Sequence, residues 1–244
     1  MEKDFFRKNG IDLAKSILGK YLIRKYENKV IVTKIIETEA YMGVNDKGAH
    51  VYGNKKTDRT KPLYLDGGHI YVYLIYGMYN CLNLSANIEN VPECVLIRGV
   101  EPITSLDEIS MNRYNKAYTE LSKYQVKNIT NGPGKLCKAL KIDRSLNSKS
   151  IMGEELYISD FYYDDKGKKV FSKDELDIKT SKRINIDYAE EAKDFLWRFY
   201  ICHLYPSNAA YECLGLDVGV RWFVQNNRQS PLKAVAMCEV YVYQ

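Results

Sequence analysis

The stretch from Tyr21 to Val100 constrains the fold most. It strings runs of β-branched and aromatic residues together on turns so short that neighbouring runs pair antiparallel. Tyr21-Leu22-Ile23-Arg24, a turn at Glu27-Asn28-Lys29 and the long run Val30 to Tyr41 read as one hairpin. His69 to Tyr76 and Asn80 to Ala86, joined at Gly77-Met78-Tyr79, read as a second, and Cys94 to Val100 supplies a further strand. Short strands return over residues 154 to 201, around a Lys166-Gly167 turn. The expected fold is mixed α/β: a single domain built on a curved antiparallel sheet, with helices around it and the tyrosine-rich hairpin protruding.

The helices are read from caps and periodicity. Ile11 to Leu18 carries helical apolar spacing, with Asn9 or Asp12 as cap and Gly19 as stop. Thr104 with Asp107 gives a capping-box signal for a helix through about Leu121, and Asn131-Gly132-Pro133 starts another running to Leu140. Residues 44 to 62 lack periodicity and gather Gly, Asn, Asp and positive charge, which marks a long functional loop. A chain of 244 residues fits one mixed domain. No apolar run approaches the roughly 20 residues that cross a bilayer, and the charged opening Met1-Glu2-Lys3-Asp4 lacks the form of a secretory signal. A cytoplasmic protein without a membrane partner is expected. The six cysteines are scattered with no Cys-x-x-Cys pair and three histidines beside them, so free thiols and no zinc are expected.

On an extended strand Glu37, Glu39 and Tyr41 share a face, because side chains alternate with period two. Two acids held side by side, near a tyrosine and a loop histidine, His50, suit a general base tuned by burial; solvated strand-end residues would look the same. Tyr71 and Tyr73 share a face of the second hairpin, and Tyr76 breaks to its turn with Gly77. A ring at a hairpin tip can wedge between base steps, or simply cover a sheet. Lys55, Lys56, Arg59 and Lys61 form a basic run that suits phosphate contacts, although a net charge of +5 favours a polyanion only slightly.

Taken in order, Glu37-Thr-Glu-Ala-Tyr41, His50, Tyr71-Val-Tyr-Leu-Ile-Tyr-Gly-Met-Tyr79, Asn83, Cys94-Val-Leu-Ile-Arg98, Glu101-Pro102, Gly132-Pro-Gly-Lys-Leu-Cys137 and Trp197-Arg-Phe-Tyr-Ile201 resemble the 3-methyladenine DNA glycosylase family typified by the mammalian alkyladenine enzyme. The match spans roughly residues 11 to 201. The resemblance implies a monofunctional N-glycosylase that flips alkylated or deaminated purines out of duplex DNA and hydrolyses the glycosidic bond in base excision repair. It implies a monomer, active without cofactor or metal and associated with a bacterial nucleoid. It assigns Glu39 as general base, with Arg98 and the Ile201 carbonyl as further contacts of the attacking water. Tyr41 and Tyr73 would sandwich the base beside His50, Asn83 would exclude guanine, and Tyr76 would fill the gap left in the duplex. Thr57, Arg59 and Lys61 would contact the DNA backbone.

Two departures accompany the match. Thr60 and Leu63 stand where the family carries Asn and Met. After Ile201 the segment 202–244 matches nothing in the pattern and reads either as an accessory segment or as the product of a frameshift. Two rivals remain open at this point: a non-catalytic damaged-DNA-binding protein of the same fold, and an RNA-recognition sheet like the C-terminal domain of formyltransferases. Glu39 with Arg98 argues against the first, and Tyr76 with the pocket tyrosines against the second.

Overall fold

The computed structural model describes residues 1–172 and 176–201; the segment read above as an unmatched tail lies outside them. A first helix, α1 (Gly10–Ser16), starts where the Asn9 side chain accepts from the Asp12 amide and ends before Gly19, whose φ of +77° is a left-handed turn position. Two strands follow, β1 (Tyr21–Tyr26) and β2 (Lys29–Tyr41). They are joined through Glu27 and Asn28, both at positive φ, as a tight hairpin turn requires.

The second hairpin is β3 (Ile70–Ile75) with β4 (Tyr79–Ala86), and β5 (Glu93–Pro102) pairs between β4 and β2. The main sheet is antiparallel, in the order β3-β4-β5-β2-β1-β6, where β6 is Leu156–Ser159. β7 (Phe161–Tyr163) and β8 (Lys169–Phe171) form a separate ribbon about the Lys166-Gly167 turn. β9 (Ile178–Ser181) and β10 (Arg198–Ile201) complete the main sheet, β10 pairing with β2.

β2 organises the molecule. Its first half pairs with β1, and beyond Lys34, where β1 leaves, β10 takes the same edge over Glu37 to Glu39. On its other edge β5 runs alongside with two register shifts. Ile36 is the extra residue on β2 and Arg98 the extra residue on β5. Bulges bend a sheet and re-aim the bulged side chain, and this pair restores register after turning Arg98 toward the end of β2.

The core lies between the sheet and the helices. Leu13, Ala14 and Ile17 of α1 are fully buried against β2 and β5, and the Thr38 hydroxyl donates to the Ala14 carbonyl at 2.9 Å. Further helices are α2 (Leu106–Tyr114), α3 (Lys123–Lys127) and α4 (Pro133–Ala139). Leu136 and Leu140 complete the core from α4 and its cap, each such side chain contributing about 1.5–3 kcal/mol by burial.

α2 is shorter than its capping signal suggested. The Thr104 hydroxyl accepts from the Val32 amide and the Ser105 hydroxyl donates to the Val30 carbonyl, so neither caps the helix. Asn115, at φ 55°, ends it well before Leu121. The hairpin of β3 and β4 protrudes as expected, with Tyr76 72% and Met78 69% exposed at its tip. Cys81, Cys94 and Cys137 are buried free thiols. No helix among the described residues is long and apolar enough to cross a membrane.

Candidate active site

A cavity of about 710 Å³ opens between the end of β2, the loop after it, the β3–β4 hairpin and the start of α4. Glu39, Tyr41, His50, Tyr73, Tyr76, Asn83 and Arg98 all line it, so one space gathers residues dispersed over sixty positions of sequence. The period-two expectation holds: Glu37, Glu39 and Tyr41 are linked along one face of β2, the acids through Arg98 and Tyr41 directly to Glu39. Arg98 Nε donates to Glu37 Oε1 at 3.2 Å while its Nη1 lies 3.3 Å from Glu39 Oε1, and the Tyr41 hydroxyl donates to Glu39 Oε2 at 2.9 Å.

Glu39 is wholly buried in the protein and yet faces the cavity. Its other strong donor is the backbone N–H of Ile184, at 2.8 Å from Oε1. Burial raises the carboxyl above its ordinary value, opposed in turn by the Arg98 charge, the Ile184 N–H and the Tyr41 hydroxyl. The balance leaves a carboxylate that is fixed by three donors and still more basic than one in water. Glu37 stabilises the arrangement from behind, its Oε1 accepting also from Arg198 Nη1 at 2.8 Å.

The aromatic wall is built from β3 and the loop. His50 packs edge-on against Tyr73 at 4.6 Å, and Tyr71 lies tilted beside Tyr73 at 5.4 Å. Arg59 Nη2, which can only donate, sits 3.3 Å from His50 Nε2; Nδ1 therefore carries the proton and donates to the Tyr71 hydroxyl at 2.9 Å. Burial, and then the Arg59 charge, lower the His50 pKa to about 4. Between pH 6.5 and 4 the unfolded chain then binds more protons than the folded one. The stability contributed by neutral His50 is thus complete above pH 6.5 and drains away as pH falls to 4. Relative to His50→Gln, the wild-type protein is expected to lose on the order of 2–3 kcal/mol over that interval. Thermal unfolding of both across the pH series measures it, and parallel curves would remove His50 as the cause.

Asn83 is 2% exposed, and its amide donates to the Tyr71 and Cys81 carbonyls at 3.3 and 3.2 Å, which fixes the side-chain orientation at the cavity wall. The remaining sequence candidates sit elsewhere. Ile201 ends β10 opposite Ile178 and packs against the core rather than lining the cavity. Thr57 exchanges hydrogen bonds with Thr60, and Lys61 pairs with Asp58 at 2.7 Å. Arg59 folds over the Tyr73 ring, 5.1 Å from its centroid. None of these three lines the cavity.

Sequence reading missed a buried strut. Arg183 and Asp46 form a doubly hydrogen-bonded pair with both side chains fully buried. The Arg183 guanidinium lies between the Tyr41 ring at 4.8 Å and the Trp197 ring at 4.9 Å, and it donates to the Ala40 and Ala192 carbonyls. Asp46 in turn accepts from the Met42 and Gly48 amides. The strut fixes Tyr41 and sets the backbone that delivers the Ile184 N–H. Gly48 was its one local trace, since a Cβ there would lie 3.0 Å from Arg183 Nη2.

A family model described as methylpurine-DNA glycosylase matches residues 4–204. The chain is 51% identical over 201 residues to an inferred 3-methyladenine DNA glycosylase of Clostridium novyi (strain NT), covering 82% of this chain and 94% of that one. It is 51% identical over 200 residues to the corresponding protein of Clostridium perfringens (strain 13 / Type A), again covering 82% and 94%. With that of Desulfitobacterium hafniense (strain Y51) it shares 42% over 199 residues, 82% of this chain and 93% of the relative. These bacterial relatives correct the mammalian type named in the sequence reading: the motifs quoted there carry the family but not its branch. The chain belongs to the methylpurine-DNA glycosylase family, as a bacterial 3-methyladenine-type DNA glycosylase, a hydrolase of base excision repair acting on damaged purines.

Proposed function

We propose that the cavity receives an alkylated or deaminated purine extruded from duplex DNA and that Glu39 activates the water that releases it. The observation that carries this reading is a fully buried carboxylate facing a cavity of about 710 Å³, held by Arg98, the Ile184 N–H and the Tyr41 hydroxyl. A carboxylate in that position takes a proton from water as its oxygen bonds to C1′. The electron pair of the breaking C1′–N bond stays on the departing purine. The same negative charge stabilises the cationic sugar that develops as the bond stretches.

Tyr41 and Tyr73 supply the aromatic faces for the base, which favour a cationic purine through cation–π attraction. His50, neutral and Nδ1-protonated, lies beside them, and the tethered Asn83 would meet the exocyclic amine of guanine. Exposed at the hairpin tip, Tyr76 takes the place vacated in the stack, which offsets part of the unstacking cost. Arg98 flanks the water site, whereas Ile201, three residues past the β10 position opposite Glu39, lies outside it, and Thr57, Arg59 and Lys61 meet the backbone. For Arg59 this means leaving Tyr73 and His50, and for Lys61 exchanging Asp58 for a phosphate.

Single-turnover release of free base from duplexes carrying one hypoxanthine or one 3-methyladenine tests the proposal. Release of base with the strand left intact at the abasic site is the expected result. Tight binding to both duplexes with no release would replace the reading by that of a non-catalytic damage-binding protein.

A further inference from the structure

The cations near the cavity differ in what offsets their charge, and Arg59, held on Tyr73 and His50, belongs to the loop already assigned to the backbone. Lys61 is neutralised by Asp58, Arg98 by Glu37 and Glu39, and Arg183 by Asp46. Arg113 of α2 and Lys135 of α4 line the cavity too, and neither forms an ion pair with a described carboxylate. Arg113 spends its Nε on the Ile129 carbonyl at 2.9 Å and stacks on Tyr114, which fixes the guanidinium and leaves both Nη groups without a hydrogen bond to any described residue. Lys135 is tethered by neutral amides, Asn128 Oδ1 at 2.6 Å and Asn131 Oδ1 at 2.9 Å, and its third N–H meets no described residue. Arg113 and Lys135 stand on helices that pack together, α2 and α4, and face the same cavity; burial, and after it the Arg113 charge, hold the Lys135 ammonium below its ordinary value.

Two positioned like charges with no counter-ion among the described residues are a cost to the folded chain unless an anion arrives to offset it. Their place in the fold says which anion. Gly134 lies against Tyr79 so closely that a Cβ would fall 2.9 Å from the Tyr79 Cβ. The start of α4 is therefore set against the turn end of the hairpin that carries Tyr76. A strand opened by Tyr76 would run its sugar-phosphate chain past that turn.

We propose that Arg113 and Lys135 form a phosphodiester site for the strand from which the purine is extruded, beside the wedge and separate from the Thr57–Lys61 loop. This rests on the base-extrusion reading above. It assigns the two cations to DNA rather than to the fold and predicts that DNA binding becomes less salt-dependent when they are neutralised.

The test is fluorescence anisotropy of the full chain on a duplex carrying one tetrahydrofuran abasic-site analogue, over a salt series. Each phosphate contact contributes a slope of about −0.9 in log affinity against log salt. Arg113→Gln with Lys135→Gln is expected to reduce the slope by about one to two, whereas Arg113→Lys, which keeps the charge but loses the Nε bond, should keep the wild-type slope. Lys166→Gln, in the β7–β8 turn, serves as the surface control and should leave the slope unchanged, and melting temperatures report whether each variant folds. An unchanged slope in the double variant, or a slope lost equally in Arg113→Lys, overturns the site. Release of hypoxanthine by the wild-type chain is read separately, so failure of the glycosylase reading appears there and not in the slope.

Discussion

Replacing Glu39 by glutamine is expected to slow single-turnover release of hypoxanthine by about 10²–10⁴-fold, the range a positioned general base contributes. Affinity for the damaged duplex should stay within a few-fold. Glutamine fits the same space: its carbonyl can accept from the Ile184 N–H, now at 2.8 Å from Glu39, and its amide can meet the Tyr41 oxygen. What it removes is the negative charge and the proton acceptor. The wild-type rate should climb with pH through the raised Glu39 pKa and then level, because burial outweighs the Arg98, Ile184 and Tyr41 contacts that oppose it. Arg98→Gln removes the largest opposing contribution, so its acid limb should shift to higher pH. Release by Glu39→Gln within tenfold of wild type, or an Arg98→Gln limb moved to lower pH, would take Glu39 out of the chemistry.

The parts of this site that could be read in advance are those set by local geometry. Period two placed Glu37, Glu39 and Tyr41 on one face, and the same alternation put Tyr71 and Tyr73 together on β3; the structure bears out both. The hairpin that carries Tyr76 followed from its turn chemistry. What could not be read depends on contacts between distant segments. Arg98 reaches both acids because bulges at Ile36 and Arg98 interrupt the register, and the only local trace of them is Gly99, an isolated strand glycine that does not say which way the strand turns. The length of α2 was misjudged because Asn115 takes a left-handed conformation and ends it before Leu121, while Thr104, the expected cap, bonds β2 instead. The basic loop read as suited to phosphate contacts, and its composition could not show that Arg59 would rest on Tyr73 and Lys61 on Asp58. The third donor to Glu39 is a backbone amide at Ile184, which no side-chain motif can announce. Alternation and turns are local properties of the chain, and the electrostatics of a buried acid are not.

Asp46→Ala is expected to be the most damaging single change outside the cavity. The carboxylate satisfies a fully buried guanidinium whose Nε already lacks a hydrogen-bond partner, so its removal strands a charge with no solvent to take it up. Breaking a buried pair from one side costs about 3–5 kcal/mol. In a domain of this size each kcal/mol moves the melting temperature by about 2–4 °C, so a fall of roughly 10 °C is expected. Activity should fall as well, below the new transition, because the same strut fixes the Tyr41 ring and the backbone leading to Ile184. The double change Asp46→Leu with Arg183→Met removes both charges and offers apolar surface to Tyr41 and Trp197. It should recover most of the lost stability, since a buried pair adds little beyond what a packed apolar replacement supplies. It should not recover base release, because the direction imposed on the Ile184 N–H is lost with the guanidinium. A double variant that regains both stability and release would show that the pair only fills space. A single variant that melts within about 2 °C of wild type, against the cost expected for a stranded charge, would show that water reaches Arg183.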